Sequence, residues 1–448
     1  MPLAGDETTE PAFAVFTAAA ASLESGQRCS GAAGELLDHL RQSQGGVTIV
    51  SADENARLAV LLRAAARFTR VFAMEAPDAP GLITLGAEVD PAAIGVPGHG
   101  IFGVGGAGLT FRRAFEACVG EGAELLSQFA HPGDQLERMP DERALARASP
   151  ALRDMVSRMS PYRRNSAPIH WVEASDPWTG ETMLLPADIC YRRPAEARDI
   201  DVPWPLSVGC GAGPDPAAAM LHGLLELIER DATVLWWRGG MAPRQLEPDT
   251  STGPLLRRLR GGRTRRRTWL LDITSDIEVP VVAAIACNDD GYGAARGIAA
   301  AASLAEAAAS AIVELTQMEL AHHLSLTKLE TRGEQALNAI DRQHIQRYTA
   351  IPMISNHRLY SSAPPRSPCD FPATDQQSAL DAIRSRLARR GLIPGSVDLS
   401  RESLGIAVTR MVCPGLEPDM GAPPGPRLRA AAAASGVDLN CPEPVPCF

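Results

Sequence analysis

The spacing of apolar residues changes repeatedly along this chain, from helical periodicity to short continuous runs, and that alternation predicts a mixed α/β protein. Phe13 to Leu23, Gly34 to Arg41 and Glu54 to Phe68 read as helices around a short strand, Val47 to Ser51. Strand-like pieces follow at Arg70 to Ala73 and Gly81 to Gly86. A Gly-rich turn containing Gly103, Gly105, Gly106 and Gly108 then leads into a helix from about Thr110 to Phe129. The polar, Arg- and Pro-rich stretch His131 to Ala167 reads as a long excursion or lid. Ile169 to Glu173 and Thr182 to Tyr191 form a hairpin pattern about Pro177-Trp178-Thr179-Gly180.

The second half continues the alternation. Asp215 as N-cap and Pro216 at the first helical position start a helix that runs to about Trp237. On it Met220, Leu221, Leu224, Leu225 and Ile228 share one arc, and His222, Glu226, Glu229 and Arg230 share a narrow polar one. A helix and strand pair covers Leu255 to Ile273, Val279 to Cys287 reads as a buried strand, and Ser303 to His323 as an Ala-rich helix. A linker near Ser361 to Pro372 precedes a last helix, Asp375 to Arg389, and a strand, Gly405 to Met411. Pro442, Pro444 and Pro446 enforce an extended tail.

One polar spacing stands out against this background. Glu121 and Glu124, Glu226 and Glu229, and Glu314 and Gln317 each sit three residues apart, so each pair leaves one face of a helix. In the first two a glycine, Gly108 or Gly213, stands thirteen residues before the first glutamate. A single such pair is ordinarily the wet face of an amphipathic helix. Its recurrence points instead to carboxylates held on rigid elements to bind divalent cations. Gly-rich turns at helix N-termini would present N–H groups to phosphate oxygens, so the two features together describe a Mg-nucleotide site.

Composition narrows the chemistry. A net charge of -10 argues against non-specific nucleic-acid binding, which needs a basic face. Lys328 is the single lysine, which removes the P-loop and protein-kinase readings because both require a lysine in a specific motif. The nine cysteines form no Cys-x-x-Cys pair, no stretch approaches a membrane span, and the start lacks a signal-peptide pattern. A soluble, reduced, cytoplasmic protein is expected.

Other residues have competing readings. Gly103, Gly105 and Gly108 satisfy Gly-x-Gly-x-x-Gly, but Pro97 and its neighbouring glycines make Ile94 to Phe102 a poor central strand for a dinucleotide fold. His222 is either a surface histidine or a nucleotide contact. His322 and His323 read as solvated helix-end residues, and Cys210 as a small residue in a turn or a nucleophile. Arg257, Arg258, Arg260, Arg263, Arg265, Arg266 and Arg267 read as a solvated helix terminus or a contact for an acidic peptide or partner.

Ser207-Val-Gly-Cys-Gly-Ala-Gly213 followed by Leu221-His-Gly-Leu-Leu-Glu-Leu-Ile-Glu-Arg-Asp231 resembles the central motif of the YcaO family. Gly106-Ala-Gly-Leu-Thr110 with Glu121 and Glu124 resembles its first nucleotide motif, and Glu314 with Gln317 its third. Trp171 to Pro186 is similar to its connector hairpin, and Val412-Cys-Pro-Gly-Leu-Glu417 and the closing Pro-x-Pro-x-Pro also have counterparts. The chain departs from the motifs at Ala117, Leu125 and Glu319, where the family usually has Ser, Arg and Arg, side chains expected to touch ATP.

The resemblance implies an α/β fold of repeated Gly-turn and helix units around a Mg-nucleotide site, with residues 1–80 as a preface and 81–448 as the catalytic domain. It implies ATP and Mg2+ as cofactors, with metal held by Glu121, Glu124, Glu226, Glu229 and Glu314. Gly106, Gly108, Gly211, Gly213, His222, Arg230, Ser310 and Gln317 would contact nucleotide, and Glu226, Glu229, Arg230 and Pro446 would serve the reaction.

In that reaction a Cys, Ser or Thr side chain of a ribosomally made peptide attacks the preceding backbone carbonyl. ATP phosphorylates the oxygen, and loss of phosphate leaves an azoline. A related branch uses an external sulfur donor and makes a thioamide. A separate leader-binding or sulfur-transfer partner is expected, and a homodimer is compatible. A non-catalytic YcaO-like scaffold or peptide-binding subunit of a maturation complex is the alternative from another class.

Overall fold

The computed structural model describes residues 12–43, 46–47, 51–247, 252–262, 265–350, 357–360, 369–371 and 373–440. The chain divides into two compact units: residues 1–74, 83–223 and 394–412 make the first, and 75–82, 224–393 and 413–448 the second. These bounds do not follow an 80/81 division. Helices Ala12–Ser25, Gly31–Arg41 and Ala52–Ala65 share one continuous core with the rest of the first unit, through residues such as Phe16, Leu40, Leu62, Phe115 and Leu126.

In the first unit the strands Arg70–Met74, Ile83–Val89 and Phe102–Gly108 form an antiparallel sheet. The helix Phe111–Ser127 follows the third strand and packs on it. The expected glycine-rich turn is therefore a strand. Its glycines are needed because the helix lies on the strand backbone: a Cβ at Gly106 would overlap the Cys118 amide, and one at Gly108 would overlap Arg113 and Ala114. Thr110 caps the helix, its side chain accepting from the Arg113 N–H at 3.2 Å. The second sheet runs Leu136–Met139, Ile169–Ser175, Gly395–Asp398, Ala407–Val412 and Cys210–Gly213, with Thr182–Pro186 also paired to Ile169–Ser175.

The stretch expected to be a lid is built into this unit. Leu136–Met139 is a sheet strand, and the helix Pro150–Met159 buries Leu152, Met155, Val156 and Met159 in the core. That spacing is an apolar helix face which the surrounding arginines and prolines obscure in the sequence.

In the second unit Arg244–Leu246, Arg266–Asp272, Val281–Asn288 and Ala295–Ala300 form a four-stranded antiparallel sheet. Val281 to Cys287 are all buried, as their continuous apolar run requires. The helix Leu304–Arg332, capped by Ser303, lies on the Ala295–Ala300 strand. Gly297 permits that approach, since a Cβ there would overlap Ala311 O and Leu315 N. The expected helix end at His323 is a mid-helix position, because nothing breaks the periodicity before Gly333.

The predicted helices Pro216–Trp237 and Gln376–Arg389 are present, the first with its Asp215 carboxylate accepting from the Ala218 N–H at 2.9 Å. The proline tail, and most of the linker before residue 373, lie outside the described residues. Among the described residues all seven cysteines are free, and no helix is long and apolar enough to cross a membrane.

Gly106→Ala should destabilise the chain by about 1–3 kcal/mol through overpacking against the helix backbone. Gly103→Ala, whose Cβ meets nothing within 4 Å, should stay within about 0.5 kcal/mol of wild type, with chemical denaturation as the readout.

Candidate active site

The same strand-and-helix unit occurs twice in close register. Gly106 faces Ala114 O and Cys118 N, and Gly211 faces Ala219 O and Gly223 N. Glu121 and Glu226 each stand three residues beyond the latter residue, so they are equivalent positions. Gly297 makes the same approach to Ala311 O and Leu315 N, but three residues beyond Leu315 is Met318. Glu314 is instead equivalent to His222 and Ala117. The third pair is therefore set one helical turn earlier than the shared spacing suggests.

These polar residues fasten the helices to strand backbones. In the first unit Glu121 Oε2 accepts from the Gly105 N–H at 3.2 Å, and Glu124 Oε1 accepts from the Ala212 N–H at 2.7 Å. His222 Nδ1 donates to Ala212 O at 2.7 Å, which leaves Nε2 as the acceptor of the neutral ring. In the second unit Glu314 Oε2 accepts from the Ile298 N–H at 3.2 Å. His222 and Glu314 thus bind the same place in their strands, the residue after the close-packed glycine. Glu121 is crowded by protein, which pushes its pKa up to about 6 against the Gly105 N–H. It nevertheless keeps much accessible surface, so solvent tempers that rise.

Glu226, Glu229 and Glu314 form a cluster of like charge in the second unit. Arg230 Nη2 donates to Glu226 at 3.4 Å, and its Nε lies 3.9 Å from Glu229. Burial raises the Glu229 pKa well above the ordinary value; Arg230 and Arg296 oppose the rise, while Glu314 and Glu226 add to it. The Glu314 pKa is raised as well, again by burial first, with Arg230, Arg296 and the Ile298 N–H opposing. Three half-buried carboxylates thus share two guanidinium groups. Nothing in the sequence marks Arg296, because its strand, Ala295–Ala300, is short and Ala-rich.

Two further clusters explain residues beside the motifs. Asp231 is fully buried; its carboxylate accepts from Arg427 Nε at 2.9 Å and Nη2 at 2.8 Å and from the Glu417 N–H at 3.1 Å. Glu417 in turn accepts from the Gly425 and Leu428 N–H groups, both at 3.0 Å. The Val412 to Glu417 motif is thereby tied to the start of helix Pro426–Ser435. Glu319 is clamped by Arg260 Nη2 at 3.0 Å and Arg266 Nε at 3.1 Å. The solvated reading of the arginine group fails for these two, which are buried because the helix Leu304–Arg332 brings a carboxylate to them. His322 is 1% exposed and His323 Nε2 pairs with Asp78 at 2.9 Å, so neither is a solvated helix end.

A family model described as YcaO cyclodehydratase, ATP- and Mg2+-binding, matches residues 105–417. This chain belongs to the YcaO family. An uncharacterised protein from the tfuA 3' region of Rhizobium leguminosarum bv. trifolii is 27% identical over 190 residues. Those residues are 40% of this YcaO chain and 44% of the relative, so the match spans less than half of that protein. Among solved structures, a heterocyclase in complex with substrate and cofactor has a TM-score of 0.61 at 18% identity, covering 80% of this chain and 51% of its own. The YcaO protein of Methanopyrus kandleri bound with AMPPCP and Mg2+ has a TM-score of 0.54 at 20% identity over 78% and 86%. The E. coli microcin synthetase McbBCD complex with pro-MccB17 bound gives 0.55 at 16% over 79% and 90%. At these identities the structures show a shared fold.

ATP and Mg2+ are accordingly the cofactors of this YcaO chain. The donor set fits them, since carboxylate in excess of the guanidinium groups beside it is what a hard divalent cation neutralises. Among the described residues no three His, Cys, Asp or Glu side chains are drawn together tightly enough to hold a metal unaided. That is the usual state for Mg2+, which takes one or two carboxylates and completes its shell with phosphate oxygens and water. Ser310 and Gln317 have no side-chain hydrogen bond among the described residues, while Gly106, Gly108, Gly211 and Gly213 are fully accounted for by helix packing. Cys210 is buried in its strand, and Pro446 lies outside the described residues.

A carboxyl whose pKa is raised in the fold binds its proton more tightly there than in the unfolded chain. Its favourable contribution is full below the ordinary 4.5 and is lost as pH rises through the folded value. Glu229→Gln should therefore stabilise the ligand-free chain at pH 8 by about 1–3 kcal/mol. The advantage should shrink as pH falls toward 4.5, measured by denaturation at a series of pH values.

Proposed function

We propose that this YcaO chain activates a peptide backbone amide for attack by a neighbouring Cys, Ser or Thr side chain, giving an azoline in a ribosomally made peptide. The observation that carries the proposal is that three half-buried carboxylates, Glu226, Glu229 and Glu314, lie in one cluster with only Arg230 and Arg296 acting against them, in a family described as ATP- and Mg2+-binding. When bound, ATP supplies the phosphoryl group that makes the amide oxygen a leaving group, and Mg2+ offsets its charge.

The chain's own residues do the holding. Glu226, Glu229 and Glu314 would take metal in the second unit, and Glu121 and Glu124 would do so in the first. Arg230 would face phosphate while remaining tethered to Glu226, and His222, fixed in one tautomer by Ala212 O, would offer Nε2 to a nucleotide donor. Gln317 and Ser310, with no competing partner, are free to turn to the ligand. Because no protein nucleophile is required, the work is positioning and charge stabilisation.

The substrate is a leader-bearing peptide, delivered by a separate partner protein. Among the fold relatives, one is a heterocyclase in complex with substrate and another a synthetase complex with pro-MccB17 bound, which agrees with that arrangement. The test is mass spectrometry of a Cys-bearing candidate peptide after incubation with the full chain, its partner, ATP and Mg2+. Loss of one water per modified residue with matching ATP consumption is expected. Exchange of oxygen for sulfur, dependent on an added sulfur donor, would move the chain to the thioamide branch. ATP consumption absent with every partner would leave the scaffold reading.

A further inference from the structure

A second polar cluster in the second unit is not used by the glutamate site. His322 is 1% exposed, and neither of its ring nitrogens has a hydrogen-bond partner. Its ring meets the rings of His344 and Tyr348 edge-on, with centroids 5.3 and 5.6 Å apart; both come from helix Ala339–Ala350. His344 Nδ1 is also buried without a partner, and so is Nη2 of Arg266. Arg266 cannot swing away to satisfy it. Its Nε is committed to Glu319, one turn before His322, and its Nη1 to Asn288 Oδ1 at 2.9 Å. A buried polar group left unmade costs about 1–3 kcal/mol, so three neighbouring side chains in this condition ask for a ligand.

The donor inventory and the local charge say what kind. A guanidinium can only donate, so the missing partner of Nη2 is an acceptor, which a metal ion is not. After burial, the groups acting most strongly on His322 are His344, Arg266, Arg347 and His323, and all push its pKa down, to about 3. None is a carboxylate. The carboxylates on the surrounding elements are otherwise engaged: Glu319 by Arg260 and Arg266, Asp78 by His323, and Asp341 by Lys328 at 2.7 Å. Asp341 does act on His344, where Arg347 and Arg296 oppose it.

We propose that Arg266, His322 and His344 form a binding site for a small inorganic anion, which accepts from Arg266 Nη2 and from one N–H of each imidazole. All three residues lie in the second unit. An anion there would favour protonated imidazole, and its binding should strengthen as pH falls. The proposal does not depend on which peptide reaction the chain performs.

The test is histidine-ring NMR of the full chain in buffer free of chloride and phosphate, titrated with sodium bromide and, separately, sodium phosphate. The His322 and His344 signals should move together and saturate with at least one of the two anions, while His323 serves as the internal reference. Response to bromide alone would mark a site for a monatomic ion, and response to phosphate would mark one open to a tetrahedral ion. His344→Phe should abolish the saturable shift, and His322→Gln provides the second variant should the first not fold. Signals of the wild type that stay unmoved by both anions, or that respond only to Zn2+, would overturn the proposal.

Discussion

A helix can lie directly on a strand only where the strand has no side chain, and this molecule uses that contact three times, at Gly106, Gly211 and Gly297. At that distance the strand's outward N–H and C=O groups are cut off from water, and each must find a partner on the helix. Glu121, His222 and Glu314 are such partners, and Glu124 reaches across from the first helix to the Ala212 N–H of the second glycine strand. The constraint that packs the fold is thus the one that fixes the orientation of its carboxylates. A side chain bound to a strand backbone has lost its rotamer freedom before any ligand arrives, which is the condition for a preorganised site.

The cost of this arrangement is concentrated where the charges do not balance. Arg230 and Arg296 offset part of the charge of Glu229 and Glu314, and burial with the neighbouring Glu226 leaves those two carboxyl pKa values raised. Elsewhere in the second unit the opposite choice is made. Asp231 and Glu417 are satisfied by Arg427 and by backbone N–H groups, and Glu319 by two arginines. Complete satisfaction marks anchors, and incomplete satisfaction marks the place where a cation belongs.

Much of this was legible in the sequence. Capping residues and period gave the helices that begin at Pro216 and Gln376, and the paired glutamates lie on helices as their spacing requires. Three features were not legible, each because the information is tertiary. The glycine segments look like turns until a helix is laid on them and they prove to be strands. Glu314 shares a spacing with Glu121 and Glu226, yet its strand contact sets it one turn away. Arg260 and Arg266 look like a solvated cluster because their partner, Glu319, is more than fifty residues distant in the chain. Local pattern reports the periodicity of an element and is silent on which distant charge will face it.

The central claim is that the surplus carboxylates hold a metal-bound nucleotide, and calorimetric titration of the full chain with ATP, in the presence and absence of Mg2+, tests it most directly. Wild type should bind only with Mg2+ present, and Glu226→Gln and Glu229→Gln should each lose that binding while keeping the fold. Binding that ignores Mg2+ or survives both substitutions would contradict the account, as would a wild type that binds no nucleotide with its partner present.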